Sequence, residues 1–264
     1  MRNLKLVLQY DGTPFAGWQR QPQNKHQRTI QGDLEAVLKK VLQEPIEVHC
    51  AGRTDTGVHA REQIAHFKTT SSINAEQLRY VLNRMLPKEI SVMKITDAPE
   101  DFHARHSATA RTYRYFIITE RIALKHRFAA FYPLKNLDLN AMQQCADVIV
   151  GEHDFRSFCK VGNKKRTYLC NVRRAVWRSI GKSELVFEIT ANRFLHSMVR
   201  LLVGTMLDVG AGERSVKDFR EVLLARDVRR AGTAAKPCGL FFWKAHYEKR
   251  RKHIVPEQEL ETDE

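Results

Sequence analysis

Alternation opens the chain. Leu4, Leu6, Leu8 and Tyr10 fall on one side of the run 4–10 and Lys5, Val7 and Gln9 on the other, the period of a half-buried strand. Asp11-Gly12 ends it. From Thr29, a residue type that caps helices, the period becomes helical: Ile30, Leu34, Val37, Leu38, Val41 and Leu42 form one stripe, stopped by Pro45. Short strands are predicted over 46–50 and 64–68. A second helix is expected after Asn74, with Leu78, Val81, Leu82 and Met85 in register before Pro87, and then a strand over 90–95.

The rhythm repeats in the second half. Residues 112–118 predict a strand with Tyr113, Tyr115 and Ile117 on one face, and 140–150 a helix with Met142, Cys145, Ala146 and Ile149 inward. Residues 172–180 and 185–191 predict a hairpin around Gly181. Phe194, Met198, Leu201, Leu202 and Met206 mark a long helix, with Gly210 as its left-handed closing glycine. Ser215, with Asp218 three residues on, starts a final helix in capping-box manner, and 239–247 is the last strand. Several strand pairs are joined too tightly for parallel crossovers, so the pattern predicts an α+β fold with mainly antiparallel sheet. The expected organisation is two similar halves, 1–107 and 108–247, meeting at a central cleft. A charged tail over 248–264 is expected to be disordered.

Composition adds little to this except through charge. The 264 residues are 43% hydrophobic and 28% charged, ordinary for a globular protein, with no apolar run of about 18 residues for a membrane span. Met1-Arg2-Asn3-Leu4-Lys5 enters the first strand without the apolar core of a signal peptide, and a cytoplasmic location is expected. Five scattered cysteines without a C-x-x-C pair predict neither a disulfide framework nor a zinc knuckle. Lys and Arg total 44 against 30 acidic residues, and five of those acids lie in the last eight positions. Without those five, 44 bases face 25 acids, an excess of +19 that favours a polyanionic partner.

The candidate chemistry lies in Ala51-Gly52-Arg53-Thr54-Asp55-Thr56-Gly57-Val58-His59-Ala60, between two predicted strands. Glycines on either side of Arg53 and Asp55 allow tight turns and close approach by a ligand. Local pattern alone also fits a polar turn in which Asp55 bonds its own backbone. Residues 101–115 then concentrate Arg105, Arg111 and Arg114 with His103, His106, Tyr113 and Tyr115. Cations interleaved with aromatic rings suit an unstacked base held by its phosphates. The two tyrosines share a face, so the period does not say which would stack.

Taken together, these segments resemble the bacterial tRNA pseudouridine synthase A family. The likeness rests on 51–60, on Phe102-His103-Ala104-Arg105 with Ser107-Ala108-Thr109-Ala110-Arg111, on Phe194-Leu195-His196-Ser197-Met198-Val199-Arg200, and on Lys236-Pro237-Cys238-Gly239-Leu240. Tyr10-Asp11-Gly12-Thr13 and Phe15-Ala16-Gly17-Trp18-Gln19 fit its opening strand and loop, so the resemblance runs from about residue 4 to 247 in order. It implies a pseudouridine synthase-like fold and isomerisation of uridine to pseudouridine in the tRNA anticodon stem-loop, at positions 38, 39 and 40. It implies a homodimer and neither metal nor organic cofactor. Asp55 would be the essential carboxylate, as nucleophile at C1′ or as base, with Arg200 its cationic partner. Tyr113 would stack on the flipped uracil, Arg53 would help extrude the base, and Leu240 would line the pocket. Arg105 and Arg111 would hold substrate.

Other signals carry less. Val209-Gly210-Ala211-Gly212-Glu213 follows a helix and so reads as a helix end, not a nucleotide loop. His49, Cys50, His59 and His66 have no standard zinc spacing. For His59 and His196, structural roles are favoured over substrate contact. Lys164-Lys165-Arg166 and Arg173-Arg174 fit either a grip on phosphate or a solvated face. Two other functional classes compete: an RNA-binding module without catalysis, in which Asp55 is only a turn residue, and a metal-dependent nuclease using Asp11 and Asp55.

Overall fold

Leu4, Leu6 and Leu8 are wholly buried, as their spacing requires, on β1 (Arg2–Tyr10), the strand around which the first part of the fold is organised. The structure, a computed structural model, describes residues 1–21, 23, 27–133, 137–160 and 167–248. The tail beyond Glu248 and Lys164-Lys165-Arg166 lie outside the described residues. β1 pairs antiparallel with β3 (His59–Thr69) on one side and β4 (Ile90–Ala98) on the other. Ile30, Leu34 and Leu38 of α1 (Ile30–Leu42) and Leu78 and Leu82 of α2 (Ala75–Met85) join the same core. Thr29 caps α1 by accepting from Gly32 N–H, and Asn74 caps α2. Met85, expected inward, is 37% exposed; the chain leaves the helix there and Leu86 fills the core position instead.

In the second part, β5 (Ala108–Ile118) pairs with β9 (Glu184–Ala191), which pairs with β8 (Leu169–Gly181). The last strand, β10 (Leu240–Tyr247), inserts between β5 and β3, antiparallel to the first and parallel to the second. The described strands form one sheet in the order β4-β1-β3-β10-β5-β9-β8-β7, with β2 (His49–Cys50) on β3 and β6 (Ala130–Phe131) on β5. Only the β10–β3 and β5–β6 pairings are parallel, which bears out the α+β, mainly antiparallel expectation. β7 (Gly151–Asp154) and β6 carry too few alternating positions to be visible in the sequence. Only His49–Cys50 of the strand expected over 46–50 pairs; β3, by contrast, begins five residues early through Gln63 and its polar neighbours.

α3 (Leu139–Val148) packs on β8 and on α4 (Met198–Gly210), and α5 (Val216–Ala225) closes over both helices. Ser215 and Asp218 form the expected capping box. Two expectations about α4 are corrected. Phe194 precedes the helix instead of lying in its stripe, because Ser197 adopts a left-handed conformation (φ 59°) and the helix begins only at Met198. Gly210 stays helical and buried, where a Cβ would meet Met142 Sδ at 2.6 Å; Gly212 takes the positive φ of +76°.

α4 is buried on nearly every side, the mark of a helix held by packing and not by an amphipathic face. One of its flanks lies flush against the segment 232–235. Ala235 N–H donates to the Arg200 carbonyl at 2.9 Å, and Gly232 N–H to Thr205 Oγ1 at 2.9 Å. Gly204 permits this approach, since a Cβ there would sit 1.8 Å from the Thr233 carbonyl oxygen. Gly204→Ala is therefore expected to destabilise the protein despite alanine's better helix propensity, by about 2 kcal/mol or more. For a chain of this size that lowers the melting midpoint by roughly 5 °C in a thermal scan; an unchanged midpoint would contradict the packing described.

Candidate active site

Asp55 lies in the connection from β2 to β3, whose backbone is pinned before any side chain contributes. Trp18 N–H donates to the Thr54 carbonyl at 3.0 Å, and Gly57 N–H to the Phe15 carbonyl at 3.3 Å. Beneath the loop the Tyr10 and Thr54 hydroxyls are 2.8 Å apart, and Gln63 Nε2 donates to the Gly52 carbonyl at 2.7 Å. The loop 12–18 presses so closely that Gly17, with φ +90°, has room for no side chain: a Cβ would lie 2.6 Å from the Thr54 carbonyl oxygen. Asp55 is thus carried on a doubly supported turn.

Its carboxylate is 27% exposed and faces the entry to α4. Oδ2 accepts from Ser197 Oγ at 2.9 Å and lies 3.7 Å from Arg200 Nη1, while Oδ1 is 3.6 Å from His196 Nε2. Arg200 Nε donates to the Ala235 carbonyl at 2.7 Å, which fixes the plane of the guanidinium. A hydroxyl donor, a cation and the positive end of a helix all complement negative charge at this spot. Arg200 is therefore beside Asp55, although the helical stripe put it off the buried centre.

Across from them stands Tyr113 of β5, 7% exposed and edge-on to Phe194 at 4.9 Å and Phe242 at 5.3 Å. Burial, reinforced by Tyr10 and by the charge of Asp55, pushes its phenol far above the usual range, so it is neutral at any physiological pH. Tyr115, equivalent by period, is wholly buried and donates to the Lys236 carbonyl at 2.8 Å. The structure therefore separates two residues that the sequence left paired. Leu240, 6% exposed, starts β10.

The remaining arginines divide. Arg53 and Arg105 are exposed. Arg111 is not a free phosphate-binding side chain: its guanidinium donates to the Ala51 carbonyl at 3.1 Å, to Ala108 at 3.0 Å, to Asn192 at 2.9 Å and also to Arg105. It ties the Asp55 loop to β5 and to the chain after β9. Asp11 is likewise engaged, with Thr13, with Arg127 at 2.7 Å and with the buried His59 at 3.2 Å, and among the described residues it shares no side-chain partner with Asp55. Among the described residues no three His, Cys, Asp or Glu are arranged to hold a metal ion, and no helix is long and apolar enough to cross a membrane. Ser197, Phe194, Tyr10 and Gly17 were not singled out by sequence reasoning as site residues. A serine just before a long apolar helical run is a recognisable signal for the first of these; the others are positioned only by tertiary contact.

The mainly antiparallel α+β sheet is the fold of the pseudouridine synthases, and the family comparison agrees. The family model for tRNA pseudouridine synthase matches residues 6–107 and 146–248. The tRNA pseudouridine synthase A of Pelodictyon phaeoclathratiforme is 44% identical over 247 residues, covering 94% of this chain and 100% of the relative. The enzymes of that name from Chlorobaculum tepidum and Brevibacillus brevis are 43% and 42% identical, over 93% and 94% of this chain and 98% and 100% of their own lengths. The chain belongs to the tRNA pseudouridine synthase A family and is an isomerase.

Two outcomes follow from this geometry. Gly17→Ala forces the Thr54–Asp55 backbone to move; since an ångström of misplacement costs about a hundredfold in rate, pseudouridine formation is expected to fall by about that factor. Activity within twofold of wild type would show that the support from loop 12–18 is dispensable. The second concerns the loop carrying Arg105, which is tied to β3 by Ala104 N–H donating to His66 Nδ1 at 3.1 Å. Burial, then the neighbouring His103 and His49, push the His66 imidazole down to about 4. The fold requires the neutral ring, whereas the unfolded chain protonates near 6.5, so this stability is complete above pH 6.5 and is lost as pH falls toward 4, by up to about 3 kcal/mol. Urea denaturation across that window should show a flatter profile for His66→Gln; identical slopes would remove His66 from the account.

Proposed function

We propose that the chain converts uridine to pseudouridine in the anticodon stem-loop of tRNA, at positions 38, 39 and 40, with Asp55 as the reacting carboxylate. The observation that carries this reading is the environment of Asp55: a quarter-exposed carboxylate on a pinned turn, against Ser197 and Arg200, opposite a buried neutral phenol. In the reaction the N1–C1′ bond breaks and a C5–C1′ bond forms, while one proton leaves C5 and one is gained at N1. No electrons are exchanged. Asp55 either attacks C1′ or abstracts a sugar proton, and both routes need it ionised and aimed at the ribose. Tyr113, neutral and held edge-on by Phe194 and Phe242, forms a wall for the extruded uracil, and Leu240 supplies apolar lining. Arg53 recovers part of the few kcal/mol that flipping a base costs, by filling its place in the RNA. Arg105 contacts the backbone of the substrate, and Arg111 holds the pocket wall.

The same reading takes 1–107 and 108–247 as two halves around the site, and a cytoplasmic homodimer as the working form. Support for the dimer is the sheet face bearing the half-buried rings of Phe116, Phe241 and Trp243, where Phe116 lies edge-on to Phe241 and tilted against Trp243. The test is Asp55→Asn with unmodified tRNA transcripts and mapping of pseudouridine in the anticodon arm. The expected variant binds tRNA but forms product at least roughly a thousandfold more slowly. Wild-type-like product formation would reject Asp55, and no product from wild type on any tRNA would leave the RNA-binding module as the better reading.

A further inference from the structure

Four helices here begin in the ordinary way. Thr29, Asn74, Asp138 and Ser215 each have extended backbone and spend a side-chain oxygen on an amide of the helix they cap. Ser197 stands at the same position of α4 and does neither. Its φ is 59° and its hydroxyl caps nothing in the helix. The other described non-glycine residues with positive φ, Gln43 and Arg226, lie just past helix C-termini, where that conformation is common. A serine held in this region has a conformational cost, which persists only where its surroundings impose it. What the conformation achieves is visible: the hydroxyl points away from α4 and donates to Asp55 Oδ2 at 2.9 Å, nearer than the 3.7 Å of Arg200 Nη1.

We infer that Ser197 is a positioning residue that gives the two oxygens of Asp55 different roles, an inference that rests on Asp55 being the reacting carboxylate. Oδ2 is occupied by Ser197 and lies on the Arg200 side, so the carboxyl plane is fixed and Oδ1 is the oxygen presented to the ribose. The groups facing the carboxylate are Arg200 and His196 from the entry to α4 and Tyr113 from β5. Of these, Arg200 has Nε committed to Ala235, and His196 approaches Oδ1 only to 3.6 Å. Among the described residues the serine hydroxyl is the one group within hydrogen-bond distance of the carboxylate. A donated hydrogen bond also favours the charged carboxylate over the acid.

The test compares Ser197→Ala, Ser197→Gly and Ser197→Asn with wild type and with Asp55→Asn, measuring kcat, KM for a tRNA transcript and the melting midpoint. Loss of a hydrogen bond to a charged group predicts a fall in kcat of about tenfold in the alanine and glycine variants, with KM within about twofold. Glycine accepts the left-handed backbone freely, so its loss of kcat comes without a lower melting midpoint. Asparagine tolerates that backbone and offers an amide donor, and it restores most of kcat. If the alanine and glycine variants keep wild-type kcat while Asp55→Asn is inactive, the inference falls and the proposed function stands. If Asp55→Asn is itself active, both fall.

Discussion

In the proposed reaction Asp55 has to be charged, still and reachable, which are opposed demands. Charge and reach favour water, whereas stillness favours burial, and burying an ion without partners costs several kcal/mol. Here the conflict is resolved by leaving Asp55 partly open and lending it partners from elements that cannot move independently. The turn carrying it is fastened from below by the loop 12–18, and the hydroxyl and guanidinium beside it belong to the first turn and entry of a helix buried on nearly every side. Any slack in α4 would reach Asp55 through Ser197, so close backbone contact at Gly204 bears on the placement of the carboxylate as well as on the core.

The order of strands explains how residues so far apart in sequence meet. β10, last in the chain, lies between β3 and β5 and pairs with β3 in register at only two positions. Asp55 precedes β3, Tyr113 is on β5 and Leu240 begins β10, so all three gather where that short parallel pairing joins the two stretches of sheet. Arg111 adds a fastening across the same seam by donating to carbonyls on both sides of it. The site is therefore complete only when the C-terminal strand is in place. Geometry of this kind rests on long-range closure, not on any local motif.

That dependence sets what could be read in the sequence. Strong alternation at Leu4, Leu6 and Leu8, the caps at Thr29 and Asn74 and the capping box at Ser215 are local signals, and each reports the element found. Asp55 and Arg200 were legible because their segments resemble a known family's motifs, not because spacing placed them together. Tyr113 and Tyr115 differ only in what covers them from other elements, so a period of two could not separate them. Gly210 failed as a helix terminator for a similar reason: its role is to admit Met142, a contact from another helix. β3 ran longer than expected because buried Gln63 is paid for by bonds to Gly52 and Tyr10, partners that no hydrophobic pattern reveals.

The treatment of arginine carries the same logic to the electrostatics. Glu188 neutralises a cluster away from the site, pairing with Arg114, Arg174 and Arg178. Around Asp55, by contrast, the fixed guanidinium groups are satisfied by peptide carbonyls: four bonds from Arg111 and one from Arg200 Nε to Ala235. A carbonyl satisfies a donor without cancelling its charge. Arg111 can therefore be a rigid structural member and still contribute positive potential near Asp55, where charge attracts a phosphate backbone and speeds its arrival. The exposed Arg53 and Arg105 stand outside this framework, because the backbone around Asp55 is held by arginines bound to carbonyls.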